Sequence, residues 1–144
     1  MKLSRTSFLP ELVVEPDGTP GMARIHITSG LFPAPNAPIP VLATFAMALR
    51  DAAECAGGEV KLRAYRPTID CPSCIEIEAR INSSGECNLV AHGQVWPGLS
   101  RIKPAPARLS VTLPREVTIQ IANSLETWCQ EPTSKLTLPL RVDA

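Results

Sequence analysis

The chain is short of aromatic residues, holding only six among its 144. Aliphatic side chains therefore do most of any packing. It has no net charge, with 14 lysine plus arginine against 14 aspartate plus glutamate. That balance lacks the basic footprint of a nucleic-acid binder and the polybasic patch of a membrane-surface protein. No run approaches the roughly 18 apolar residues that a membrane helix needs, and Met1 to Pro16 holds no apolar stretch of signal-peptide type. A cytoplasmic, reducing compartment is the resulting expectation, with free thiols. Glycine is scarce at eight against fifteen prolines, which points to many fixed corners between short elements. The five cysteines are an odd number and cannot all pair within one chain. Against these deficits, hydrophobic residues make up 44%, so one domain-sized core can form.

Leu12 to Glu15 is a short apolar run closed by Pro16-Asp17-Gly18. Ala23 to Thr28 reads as a strand, with Ala23, Ile25 and Ile27 on one face. Phe32 to Pro40 carries four prolines and reads as a stiff connector. Val41 to Ala56 predicts a helix rich in alanine and leucine. Leu42, Phe45, Leu49, Ala52, Ala53 and Ala56 follow helical spacing, and the opposite side lacks charge until Arg50, Asp51 and Glu54. A helix apolar nearly all round predicts a buried helix wrapped by a sheet, ended by Gly57-Gly58.

The remainder reads mainly as β. Glu59 to Arg66 is a strand, and Ile75, Ile77, Ala79 and Ile81 alternate with Glu76, Glu78 and Arg80. Asn82-Ser83-Ser84-Gly85 predicts a hairpin turn, with Cys87 to Trp96 returning antiparallel. Arg108 to Leu113 alternates again. Val117, Ile121, Leu125 and Trp128 favour a helix over a strand, and Leu136 to Val142 is a last alternating run confined by Pro139 to a sheet edge. The order predicts an α+β fold, one long central helix in a curved antiparallel sheet. Residues 1–113 form the expected domain and 114–144 an extension packed on it.

The segment from Leu31 to Ala48 makes this order more specific. Phe32, Pro33, Val41, Leu42, Ala46, Met47 and Ala48 fit, without a gap, the pattern of the 3-hydroxyacyl-(acyl carrier protein) dehydratases. Tyr65-Arg66-Pro67 resembles the strand entry that follows the helix in that family. The chain thus resembles these hotdog-fold enzymes over roughly Leu12 to Leu113, about two thirds of its length. The resemblance implies a hotdog fold, a homodimer or a heterodimer with another hotdog protein, and an acyl carrier protein as a further candidate partner. It also implies an acyl pocket lined by Phe32, Pro33, Pro40, Val41 and Phe45.

The catalytic pattern departs from the family. The position of its histidine base is Leu31, and that of its helix acid is Phe45. Neither can exchange a proton, which dehydration requires within about 3 Å of the substrate. The glycine that lets the backbone approach a thioester carbonyl is Pro40, which offers no amide donor. His26, Asp51 and Glu54 are the remaining acid–base candidates. Asp51 lies roughly 9 Å along the helix from Phe45, and the plain alternative is that Asp51 and Glu54 are solvated and His26 an ordinary strand residue.

Cys71-Pro72-Ser73-Cys74 with Cys87 and His92 has a superficially finger-like spacing. A turn centred at Ser83-Ser84 would put Cys87 opposite Arg80, roughly 20 Å from Cys74 along the strand. Zinc ligands must all lie within about 2.3 Å of the metal, so no metal and no cofactor is expected. His92 reads as a cross-strand packing residue.

Three functions fit. The first is a non-catalytic partner or acyl-binding subunit in a fatty-acid or polyketide-type pathway. The second is an active thioesterase or dehydratase using His26, Asp51 or Glu54. The third is a structural assembly component of a phage or secretion apparatus, since fold alone does not give function. Zero net charge offers no positive patch for an acidic carrier protein unless Arg63, Arg66 and Arg101 cluster.

Overall fold

A computed structural model describes residues 10–28, 32–66, 73–95 and 105–140. Leu31, Cys71, Trp96, Arg101 and Val142 lie outside the described residues, as do the side chains of Arg66 and Val95. The longer strands are β1 (Glu11–Pro16), in which Leu12, Val13 and Val14 are all buried, and β2 (Met22–Ile27), β4 (Gly58–Arg66), β5 (Ser73–Ile81), β6 (Cys87–Val95) and β7 (Ala105–Leu113), which alternate. In β5 the residues Ile75, Ile77, Ala79 and Ile81 are buried while Arg80 is exposed, the two-residue period of a sheet with one wet face. Two short strands complete the set, β3 (Asn36–Pro38) and β8 (Leu136–Pro139).

β3 falls inside the proline-rich stretch expected to be a connector. Among the described residues it pairs only with β2, with Pro38 opposite Met22. At an edge a missing proline N–H can face away from the ladder, so the prolines are tolerated there.

α1 (Ile39–Cys55) starts two residues earlier than its alanine-rich pattern suggests. Pro40 sits in the first turn, where the N–H has no intrahelical partner in any case. The left-handed residue closing the helix is Ala56 (φ 52°), not a glycine. α2 (Arg115–Gln130) takes the helical alternative, burying Thr118, Ile121, Ala122, Leu125 and Trp128. It lies antiparallel to α1. Cys129 Sγ is 3.9 Å from the Ile39 carbonyl, Arg50 Nη1 donates to Glu126 Oε1 at 3.0 Å, and Arg115 Nη2 donates to the Glu54 carbonyl at 3.2 Å.

The strands form two four-stranded sheets, β3-β2-β1-β8 and β4-β5-β6-β7, antiparallel throughout. This overturns the hotdog expectation, in which one sheet wraps one helix. α1 packs one side on β3, β4 and β5 and another on α2. It is therefore not enclosed, and Val41 and Met47 stand 44% and 49% exposed on its remaining side. The apolar character of that side reflects an open surface and not burial. Both sheets and both helices contribute to a single core, in which Val14, Ile25, Leu42, Leu49, Ile75, Ile77 and Leu125 are essentially inaccessible.

The hairpin register is one residue off the expected pairing. Cys87 faces Ile81, and Asn88 faces Arg80. The Asn82 Oδ1 accepts from the Ser84 and Glu86 amides at 3.0 Å each, and Gly85 takes φ 84°. The side-chain cap lengthens the loop and moves its centre from Ser83-Ser84 to Ser84.

Candidate functional site

The residues of the expected acyl pocket are split between core and surface. Phe32 (7% exposed) and Phe45 (4%) belong to the hydrophobic core, while Pro40 and Val41 are exposed on the first turn of α1. Phe32 and Pro33 lie directly over β6. A Cβ built on Gly93 would come within 2.6 Å of Phe32 Cδ1 and 2.9 Å of Pro33 Cδ. Gly93 thus admits the loop to the inner sheet face, a close approach that any side chain would obstruct.

The acid–base candidates occupy separate places. His26 is on β2, opposite Val13, and its Nδ1 lies 3.2 Å from the Pro33 carbonyl. A carbonyl can only accept, so Nδ1 carries the proton in this bond. Asp51 and Glu54 are exposed in the second half of α1. His92 is exposed on the outer face of β6, between Glu76 of β5 and Arg108 of β7. It packs against the charged outer sheet face and takes no part in the core.

That outer face is a lattice of opposite charges. Arg80 Nε donates to Glu78 Oε1 at 2.7 Å and lies 3.5 Å from Glu59 Oε2. The hydrogen bond from Arg80 holds the Glu78 carboxyl below its usual range. These are exposed pairs that contribute little to stability.

The cysteines are dispersed. Cys55 is exposed, Cys74 and Cys129 are partly covered and Cys87 is buried. Burial pushes the Cys87 thiol up to about 11, against a weaker opposing hydrogen bond with Thr118. The observed register puts Cys87 seven ladder positions from Cys74, roughly 23 Å at strand rise. Among the described residues no group of three or more His, Cys, Asp or Glu could hold a metal ion.

Two surface features are better developed. One is a groove of about 460 Å³ between the start of α1 and the end of α2, lined by Ile39, Pro40, Ala43, Met47, Arg50, Glu126, Cys129 and Gln130. The charge-poor stretch before Arg50 was its sequence signal. The hydrogen bond and charge of Glu126 hold the Arg50 guanidinium above its ordinary pKa. Burial, then the Glu126 charge, push the Cys129 thiol up.

The other feature is the free side of β7. Among the described residues β7 pairs only with β6. Its inward row, Ala107, Leu109 and Val111, is only partly buried, whereas Ala91 and Leu89 beside it on β6 are buried. No helix of the described structure is long and apolar enough to cross a membrane. Comparison with family models, with curated proteins and with solved structures gives no match.

Proposed function

We propose that the chain is a non-catalytic assembly subunit that associates with a second copy of itself through β7. The observation that carries this reading is the contrast between β7 and the other three sheet edges. β3 has three residues and ends in Pro38, and β8 has four and ends in Pro139. Short length and proline both blunt an edge. β4 is long, but β3 and α1 pack against it. β7 has nine residues, and its half-covered apolar row continues the core. An edge left unpaired among the described residues is a template for another strand.

β7 is also suited to pair with itself. About a twofold axis at Leu109, antiparallel pairing sets Leu109 against Leu109 and Ala107 against Val111 of the second copy. Arg108 then faces Ser110, so the pairing places no like charges in direct opposition. The register centred on Arg108 sets two guanidinium groups against each other and is disfavoured. Zero net charge removes general repulsion between copies. A closed twofold pair would give one continuous eight-stranded sheet.

Sedimentation velocity tests the reading. The wild type is expected to form a dimer. Ser110→Lys, an exposed change, opposes Lys to Arg108 twice per dimer and weakens association about tenfold. Adding Arg108→Glu restores it by reversing one sign. A wild type that stays monomeric at about 100 µM, or a dimer indifferent to both changes, would overturn the reading. Circular dichroism of each variant separates lost association from lost fold.

A further inference from the structure

We infer that the dimer formed through β7 binds a free tetrahedral dianion, of which sulfate is the probe, on its twofold axis. This rests on the β7 pairing and concerns the outer sheet face, which that pairing leaves uncovered. Arg108 and Ser110 are exposed on this face of β7, and His92 stands beside Arg108 on β6. Much of the neighbouring charge is already committed, because Glu59, Lys61, Glu78 and Arg80 bridge one another. Among the described residues Arg108 has no ion-pair partner. Glu76, opposite His92, lies two strands away, roughly 10 Å at the spacing of a sheet.

A twofold axis at Leu109 doubles this arrangement. Arg108 faces Ser110 of the second copy, and the two Arg108 positions become diagonal neighbours, about 7–8 Å apart. Like charges at that distance oppose association, and the square they form with the two Ser110 positions contains no carboxylate. It holds two guanidinium groups and two hydroxyls, all able to donate. Each copy supplies half of the square, so the monomer holds only half a site.

The ligand class follows from that geometry. A guanidinium offers two parallel N–H groups to a pair of oxygens. Two guanidinium groups facing each other across an axis call for two pairs of oxygens. A tetrahedral ion with four free oxygens presents both pairs, and its double charge offsets both arginines. A carboxylate presents one pair. A phosphomonoester has one oxygen taken up by its ester bond and leaves one fork half filled. The diagonal separation accommodates one such ion with a charge-assisted bond of about 2.7–2.9 Å on each side.

Sedimentation velocity in sodium sulfate, against sodium chloride of equal ionic strength, tests the inference. An ion bound by the dimer alone tightens association by mass action, and about 20 mM sulfate should lower the dimer dissociation constant at least about fivefold. Glycerol 1-phosphate at about pH 8, where a phosphomonoester is also a dianion, should tighten it less. Arg108→Gln removes both forks and the repulsion between them. That variant should dimerise in chloride more tightly than the wild type and lose the response to sulfate. A wild type that dimerises equally in the two salts would overturn the inference and leave the β7 pairing standing. So would an equal effect of the ester, or an Arg108→Gln chain that still responds to sulfate or dimerises less well in chloride. A wild type monomeric in both salts would overturn the inference and the β7 pairing together.

Discussion

Replacing Gly93 by alanine sets two effects of opposite sign against each other. In a strand interior alanine is favoured over glycine by roughly 0.5–1 kcal/mol, because glycine loses more backbone freedom on folding. Gly93 does not have a positive φ, so the backbone itself accepts alanine. The new methyl, however, would lie 2.6 Å from Phe32 Cδ1 and 2.9 Å from Pro33 Cδ. Phe32 is 7% exposed and its successor has a fixed φ, so neither group moves aside easily. Overpacking of this kind costs about 1–3 kcal/mol, and it outweighs the gain in propensity. For a chain of this size the net loss lowers Tm by about 5 °C. Phe32→Ala alone should cost about 3–5 kcal/mol through lost burial and the cavity left behind. In that background Gly93→Ala keeps only the contact with Pro33 Cδ and should cost less, a coupling of about 1 kcal/mol in a double-mutant cycle followed by urea denaturation. A neutral or stabilised Gly93→Ala, or costs that simply add, would refute the close packing of the Phe32-Pro33 loop on β6.

Other perturbations follow from the same packing. The Cys87 thiol is raised from 9.0 to about 11, so the folded state holds its proton more tightly than the unfolded chain does. Its contribution is complete below about pH 9 and declines as pH rises through about 11, and Cys87→Ala should flatten the stability profile over that window. In native protein at neutral pH, a thiol reagent followed by peptide mass mapping should modify exposed Cys55 first and Cys87 only on unfolding. Trp128 Nε1 donates to the Ser134 carbonyl at 2.6 Å, joining the end of α2 to the approach to β8. Trp128→Phe keeps an aromatic ring there but removes the donor, and chemical denaturation should show a loss of about 1 kcal/mol.

Local periodicity made most elements readable. The alternation of Ile75 to Ile81 and the helical spacing of Leu42 to Ala53 depend only on near neighbours, and both elements form there. The division of the strands into two sheets does not have a local cause. It depends on β1 pairing with β8, more than a hundred residues away, and on α2 covering one side of α1. An apolar helix side is silent on whether anything covers it. The helix pattern predicts burial all round, yet Val41 and Met47 are exposed, and the spacing carries no sign of the groove beneath Met47. The hairpin slipped by one position because the Asn82 side chain caps the loop, an interaction that turn composition alone does not specify. For Gly93 the available signal was a lone glycine inside a strand pattern, which marks a close approach but not the group that approaches. Leu31 and Phe45 were matched to catalytic positions of a family whose fold this chain does not share. Phe45 is a core residue on α1.

The account turns on β7 meeting β7 about Leu109. Thr112 is exposed and three positions from that axis, so nitroxides placed at Thr112 in two paired copies would be roughly 20 Å apart at strand rise. Double electron–electron resonance on the singly labelled protein should give a narrow distance distribution at about that value, reduced in amplitude by Ser110→Lys. A distribution well beyond it, or no dipolar coupling between copies, would contradict the proposed pairing.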